Sequence, residues 1–340
     1  MTKFSKNSMA TESPILFIWT KNTTGGMSPE PSCNLTRGPL EKVVLPVLYS
    51  FIICVGVPAN LVALCMFLQQ YRKHGILVYL INLAAADLVN CLSLPFRVSL
   101  LLLGDQWRES SPICVTSMIL INFSFYYTVS CSTMFLAFIS ISRYSMIVKP
   151  NNKHLNRFYL TSFAQCACTI TWIVTLIPIL FLNLNYFFKE VQLIAGSVCY
   201  NTQLQYGKRV SAKAFVTVAV MFLVLLTMFA FSYASIALEL CSVRRRSTSQ
   251  RNRVIHVRAQ LIIIGAMTGF IVCHLPFHVY QLVAGLHRLH NSSCLWLLQT
   301  HHVKLITLWL VSLSSCLDPI LYFLLSKSFV KRSSKRERSS

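Results

Sequence analysis

Seven long apolar stretches dominate the chain, at residues 43–69, 76–103, 113–146, 158–182, 211–241, 257–286 and 300–325. A membrane-spanning helix needs about 20 mostly apolar residues, and each stretch supplies them. Only 12% of the 340 residues are charged, while 54% are hydrophobic. A soluble protein is about a quarter charged, so this chain lacks the charge to cover a soluble surface. In hydrocarbon every backbone polar group must be satisfied within the protein, which favours helices for runs of this length. The expectation is an all-α fold: a bundle of seven transmembrane helices over residues 43–325, after an N-terminal segment, 1–42, and before a basic tail, 326–340. Seven is odd, so the two termini lie on opposite sides. No repeat relates two halves of the sequence, which argues against an inverted-repeat transporter.

Lysine and arginine in the connecting segments set the orientation. Segments 70–75, 147–157, 242–258 and 326–340 together carry 17 of them, among them Arg244, Arg245, Arg246, Arg251, Arg253 and Arg258, against one acid, Glu337. That side is expected to be cytoplasmic, with residues 1–42 outside and the chain a multi-pass protein of the plasma membrane. The net charge of +21 then reflects the inside-positive pattern and the tail, and nucleic acid is not expected as a partner. The run "PILFIW" (14–19) is too short for a cleaved signal. Sequons at Asn22, Asn34 and Asn291 fall on the outer side and are expected to be glycosylated, whereas the one at Asn122 falls inside a helix. Of 13 cysteines, Cys33, Cys114, Cys199 and Cys294 fall on the oxidising side, so two disulfides are expected there, and the residues alone leave the three pairings open.

Polar groups inside apolar helices carry the most information, because they face the interior of a bundle and mark function. Asn60, Asp87, Ser132 and Asp318 sit 7–14 residues from the cytoplasmic ends of their helices. Four oxygen-bearing groups at one depth would surround a sodium ion and waters, or would bond helix to helix. No other metal and no cofactor is expected. Pro58, Pro95, Pro178, Pro276 and Pro319 interrupt helices and give them places to kink. Toward the outer ends lie Arg97, Tyr126, His278, Gln281, Arg288 and Lys304 among aromatic residues. An apolar cavity with a few polar groups describes a ligand site, and positive fixed charges point to an anionic ligand. The alternative is that Arg97 and Lys304 extend to the lipid headgroups. Neither a Gly-rich phosphate loop nor a nucleophile–base pairing is recognisable, so an enzyme is not expected.

In order along the chain come Asn60, "NLAAADL" (82–88), "SRY" (142–144), Trp172, "FIVCHLPFH" (270–278) and "DPILY" (318–322). With these motifs residues 43–330 resemble a rhodopsin-like (class A) G-protein-coupled receptor, most of all its nucleotide and lysophospholipid branch. The resemblance implies a receptor that passes the binding of an extracellular ligand to a heterotrimeric G protein, with arrestin a further partner. It implies that Arg143 and Tyr144 form the docking face, that Tyr233 and Tyr322 pack beneath the arginine, and that Phe270, Pro276 and Pro319 belong to the moving parts. It implies Cys114–Cys199 and Cys33–Cys294 as the disulfides. It also implies an amphipathic eighth helix from "LSKSF" (325–329), whose basic continuation would meet acidic membrane lipids.

The chain departs from the family pattern at several points. Ser142 replaces the acid beside the arginine, which would release a restraint and raise basal signalling. His274 stands for the helix 6 tryptophan and Leu225 for the helix 5 proline. Cys114 and Arg143 are 29 residues apart, four more than the resemblance leads one to expect. A receptor that binds without signalling is the alternative reading. A chromoprotein is disfavoured, because Ser312 occupies the opsin lysine position.

Overall fold

The computed structural model describes residues 17–21, 27–31, 37–69, 75–107, 111–149, 151–190, 212–246, 250–290 and 294–336. Seven long helices follow one another: α1 (Leu45–Leu68), α2 (Gly75–Leu103), α3 (Pro112–Ile147), α4 (Thr161–Glu190), α5 (Ala212–Arg246), α6 (Gln250–His290) and α7 (Cys294–Arg336). Over their described residues the first six are long and apolar enough to cross a membrane. The seventh packs against α1, α2 and α6, which completes a seven-helix bundle. Most helices outrun the apolar stretches that announced them, because helical hydrogen bonding continues past the end of the hydrocarbon. From Cys294 the backbone stays helical without a break to Arg336, so residues 325–336 continue α7 with no separately started helix.

Local sequence explains several helix ends. Ser111 caps α3 from an extended conformation, its side chain accepting the Cys114 amide, with Pro112 at the first helical position, where a missing N–H costs nothing. Asn152 caps the four-residue helix Lys153–Asn156, accepting from the amides of His154 and Leu155. That turn and the 3-10 turn Arg157–Tyr159 occupy the stretch where the sequence places the start of the fourth span, so α4 begins at Thr161. A π-helical turn, Leu40–Val44, leads into α1. In the N-terminal segment, β1 (Phe17–Lys21) pairs antiparallel with β2 (Met27–Pro31), Phe17 opposite Pro31 and Trp19 opposite Pro29.

Packed clusters among the described residues join the helices, and three of them lie between several helices at once. Leu45, Tyr49, Ile52, Cys91, Leu94 and Cys316 join α1, α2 and α7. Tyr79, Leu83, Phe135, Ile139, Ala164 and Cys168 join α2, α3 and α4. Phe125, Val129, Phe277, Leu308 and Val311 join α3, α6 and α7. Val47, Phe51, Ile177, Phe181, Phe231 and Leu238 face outward exposed, an apolar shell suited to lipid rather than water. At Gly56 α1 comes close to α2 and α7: a Cβ there would meet Cys91 Sγ at 2.7 Å and Cys316 Sγ at 3.1 Å. Pro58, Pro95, Pro178, Pro276 and Pro319 all lie inside continuous helices. Each deprives the carbonyl four residues earlier of its donor. For Pro319 that carbonyl is Ser315 O, and Asn60 Nδ2 of α1 donates to it at 2.8 Å.

Candidate functional site

The mid-depth polar set is one connected cluster. Ser132 Oγ of α3 donates to Asp87 Oδ1 at 3.4 Å, and Ser315 Oγ of α7 donates to the same oxygen at 3.1 Å. Asn90 Nδ2 donates to Ser315 Oγ at 3.0 Å. The Asp318 side chain is a further hydrogen-bonding neighbour of Asp87, while Asn60 joins through the Ser315 carbonyl. Sequence reasoning found four of these residues and missed Asn90 and Ser315. Both sit three positions from an aspartate, on the same helix face, a spacing that would have found them. Asn60 Oδ1, Asp87 Oδ2 and Asn90 Oδ1 are buried and take no partner among the described residues. Three acceptors of this kind call for water or a hard cation with oxygen ligands.

Arg143 closes α3 at the end opposite Glu41 and is only 4% exposed. Ser142 beside it is buried, and its hydroxyl takes no partner among the described residues. Tyr144 and Tyr233 pack with Ile147, Val148 and Ile236, joining α3 to α5. Ser145 Oγ lies 2.9 Å from Asn156 Oδ1 and ties the following turn to α3. Farther along, Phe270 stacks on His274 at 4.5 Å and lies 4.8 Å from Phe229 of α5. His274 Nδ1 pairs with Phe270 O at 3.3 Å. The histidine at the tryptophan position is thus a satisfied core group within an aromatic column. Pro276 and Pro319 lie in α6 and α7 as expected, and the Tyr322 side chain is outside the described residues.

Toward the Glu41 end, Arg97 is 8% exposed. Its guanidinium sits over the Phe125 ring at 5.3 Å and the Tyr49 ring at 5.6 Å, in hydrogen-bonding contact with the Tyr49 hydroxyl. It therefore points into the bundle and does not extend to headgroups. Tyr126 meets Phe125 edge-on at 5.5 Å and Phe277 at 6.4 Å. His278 turns to α5, stacked on Phe222 at 3.7 Å. Gln281 is buried one turn beyond, and Lys304 is half-buried on α7. Arg288 lies in α6 with its side chain outside the described residues, and Trp296 stacks on His287 at 4.7 Å, joining α6 to α7. The surplus turn of α3 is absorbed in one continuous helix, with Cys114 in a disulfide. Its partner, Cys33, Cys199 and the side chain of Cys294 are outside the described residues, as are Asn22, Asn34 and Asn291. Asn122 is buried in α3 and donates to Met118 O.

A second polar cluster went unseen in the sequence. Glu41, in the π turn, is fully buried. Its Oε1 lies 3.0 Å from His301 Nε2 and 3.8 Å from His302 Nε2, and its Oε2 lies 3.9 Å from Arg37 Nε. Arg37 Nη1 pairs with Asp105 Oδ2 at 2.7 Å, while Nη2 donates to Leu101 O. Glu41 and His301 are 260 positions apart, so no local pattern announces the contact.

Residues 59–322 match the family model described as "7 transmembrane receptor (rhodopsin family)". Among curated relatives, "Probable G-protein coupled receptor 34" of Mus musculus is 28% identical over 304 residues, 88% of this chain and 79% of the relative. "Probable G-protein coupled receptor 82" of Mus musculus is 29% identical over 86% of this chain and 94% of the relative. "Proteinase-activated receptor 3" of Homo sapiens is 28% identical over 87% and 76%.

Proposed function

The chain belongs to the rhodopsin family of seven-transmembrane receptors and is a G-protein-coupled receptor; from that premise we propose that its ligand is a small anionic molecule or lipid received at the Glu41 end of the bundle. Arg97 carries this reading. It is a buried cation held between two aromatic faces, and no described carboxylate pairs with it. A desolvated guanidinium gains most from an anion that forms charge-assisted hydrogen bonds. Tyr126 borders the same aromatic floor, and in this reading Lys304 on α7 and His278, Gln281 and Arg288 on α6 supply the further polar groups of the pocket.

The Glu41 end faces outside the plasma membrane, where Asn22, Asn34 and Asn291 carry glycans and Cys114–Cys199 and Cys33–Cys294 form the disulfides. The Arg143 end receives the G protein, and arrestin after it, with Tyr144, Tyr233 and Tyr322 lining the opening and Phe270, Pro276 and Pro319 moving to form it. A sodium ion in the Asp87 cluster holds the resting arrangement. Ser142 offers no carboxylate to restrain Arg143, so signalling without ligand is raised. The same feature also favours a second reading, a receptor that binds without coupling; the retained Arg143, Asp87 and Tyr322 weigh for coupling.

The test measures G-protein activation in cells without ligand, comparing wild type with Arg143→Ala at matched surface expression. Basal activity that the substitution abolishes is the expected result. Silence in both, across all G-protein classes, overturns the raised-activity reading. A screen of anionic lipids in which Arg97→Ala and Lys304→Ala respond like wild type overturns the ligand reading.

A further inference from the structure

We propose that the turn between α3 and α4 holds the headgroup of an anionic phospholipid, with Lys153 and Arg157 as the binding cations and Lys149 beside them. The turn is a fixed platform. The Asn152 side chain caps it, accepting from the amides of His154 and Leu155. Ser145 Oγ ties Asn156 to α3 at 2.9 Å. The Phe158 ring packs against Phe138 of α3 at 6.3 Å and Phe163 of α4 at 4.9 Å. The start of α2 closes on its far end. A Cβ at Gly75 would lie 2.7 Å from the carbonyl carbon of Tyr159 and 2.9 Å from that of Leu160, so glycine is what lets the two backbones meet. Helical backbone runs from Lys153 through Arg157. These two side chains, four positions apart, therefore share a face.

Lys149, Lys153, His154 and Arg157 are exposed, and none of them takes a carboxylate partner among the described residues. The sequence has no Asp or Glu between Glu109 and Glu190, so the segment brings no counter-charge of its own. Like charges at this spacing repel. An anion set between them removes the repulsion and gains charge-assisted hydrogen bonds.

Apolar surface adjoins the cations: Met146 is 43% exposed, Tyr159 36% and Leu160 50%. The apolar span of α4 begins at Thr161, four positions after Arg157. The turn thus lies at headgroup level, with Tyr159 and Leu160 beside the acyl chains and the basic side chains reaching the phosphates. Cations next to apolar side chains match a phospholipid, which offers both chemistries in one molecule. The turn packs on the α2 and α4 side of α3, whereas Tyr144 packs toward α5, against Phe231 at 6.0 Å. It therefore borders the bilayer rather than the Arg143 opening. An excess of lysine and arginine orients a chain in the membrane without needing a fixed turn, and the clamped backbone is what makes these charges a site. The orientation proposed above decides only which leaflet supplies the lipid, and binding depends neither on it nor on G-protein coupling.

The experiment places the purified full-length receptor in mixed micelles of phosphatidylcholine and phosphatidylserine and counts the lipids it retains by native mass spectrometry. Wild type is expected to retain phosphatidylserine beyond its share of the mixture. A cation near an anionic surface favours binding about fivefold, so Lys153→Gln/Arg157→Gln is expected to lower the retained ratio of phosphatidylserine to phosphatidylcholine by about tenfold or more. Lys153→Arg/Arg157→Lys is expected to keep it, and Lys331→Gln/Arg332→Gln in the tail to lower it less. Equal ratios in wild type and Lys153→Gln/Arg157→Gln overturn the proposal. So does an equal fall in the tail variant, which reads as an effect of total charge. Release of the retained phosphatidylserine by inorganic phosphate at matched ionic strength identifies a free-anion site and overturns the lipid assignment. Lost G-protein activation with unchanged lipid retention in Lys153→Gln/Arg157→Gln gives the patch to the G protein and overturns it as well.

Discussion

Pro319 and Asn60 are coupled through one oxygen, and the coupling can be measured. Pro319 has no N–H to give Ser315 O, and Asn60 Nδ2 fills that place from another helix at 2.8 Å. Asn60→Ala removes the donor and leaves a buried carbonyl without its partner, at a cost of about 1–3 kcal/mol. It also leaves a small void. Its second bond, to Gly56 O, matters less, because that carbonyl already accepts within α1. Pro319→Ala restores an N–H four residues after Ser315, so the backbone satisfies its own carbonyl. In that background Asn60→Ala loses mainly the void term, and the carbonyl term drops out. A double-mutant cycle on thermal or denaturant unfolding in detergent should therefore give a coupling of about 1–2 kcal/mol, with the pair less destabilised than the sum of the singles. Additivity within about 0.5 kcal/mol would show that Asn60 does not compensate the proline, and the account of α7 given above would be wrong.

Three further outcomes can be measured. Gly56→Ala places a methyl 2.7 Å from Cys91 Sγ and should cost about 1–3 kcal/mol of overpacking, largely recovered by Cys91→Ala in thermal melts. Gly265→Ala meets nothing within 4 Å and should stabilise α6 by up to about 1 kcal/mol. Sodium should raise the unfolding midpoint of the wild type relative to choline at equal ionic strength, by ligand-linked stabilisation. Asp87→Asn should abolish that response, and an unchanged response would remove the cation from the cluster.

The bundle itself was legible, because the need for about 20 apolar residues per span leaves a plain mark. Depth along a helix was legible too, and it brought Asp87, Ser132, Asp318 and Asn60 to one level. Rotation about the helix was harder to read. His278 follows Pro276 closely and was assigned to the pocket, yet its ring lies on Phe222 of α5. Arg97 could be read as reaching outward or inward, and only its burial between Tyr49 and Phe125 decides. Glu41 and Arg37 were lost for a different reason. They precede the first apolar run, where charge looks like ordinary loop composition, and their partners come from α2 and α7. The Asn90–Ser315 bond shows the opposite case, a long-range pair whose members each carry a local signal three positions from an acid.

The contact between Asn60 and Ser315 also has a history in time. The two residues are 255 positions apart, and a ribosome adds about 5–20 residues per second. Asn60 thus waits roughly 10–50 s in the bilayer before its acceptor exists. During that interval Asn60 Nδ2 can donate only within its own helix, to Gly56 O. The bond that joins the first helix to the last forms once Ser315 has been made.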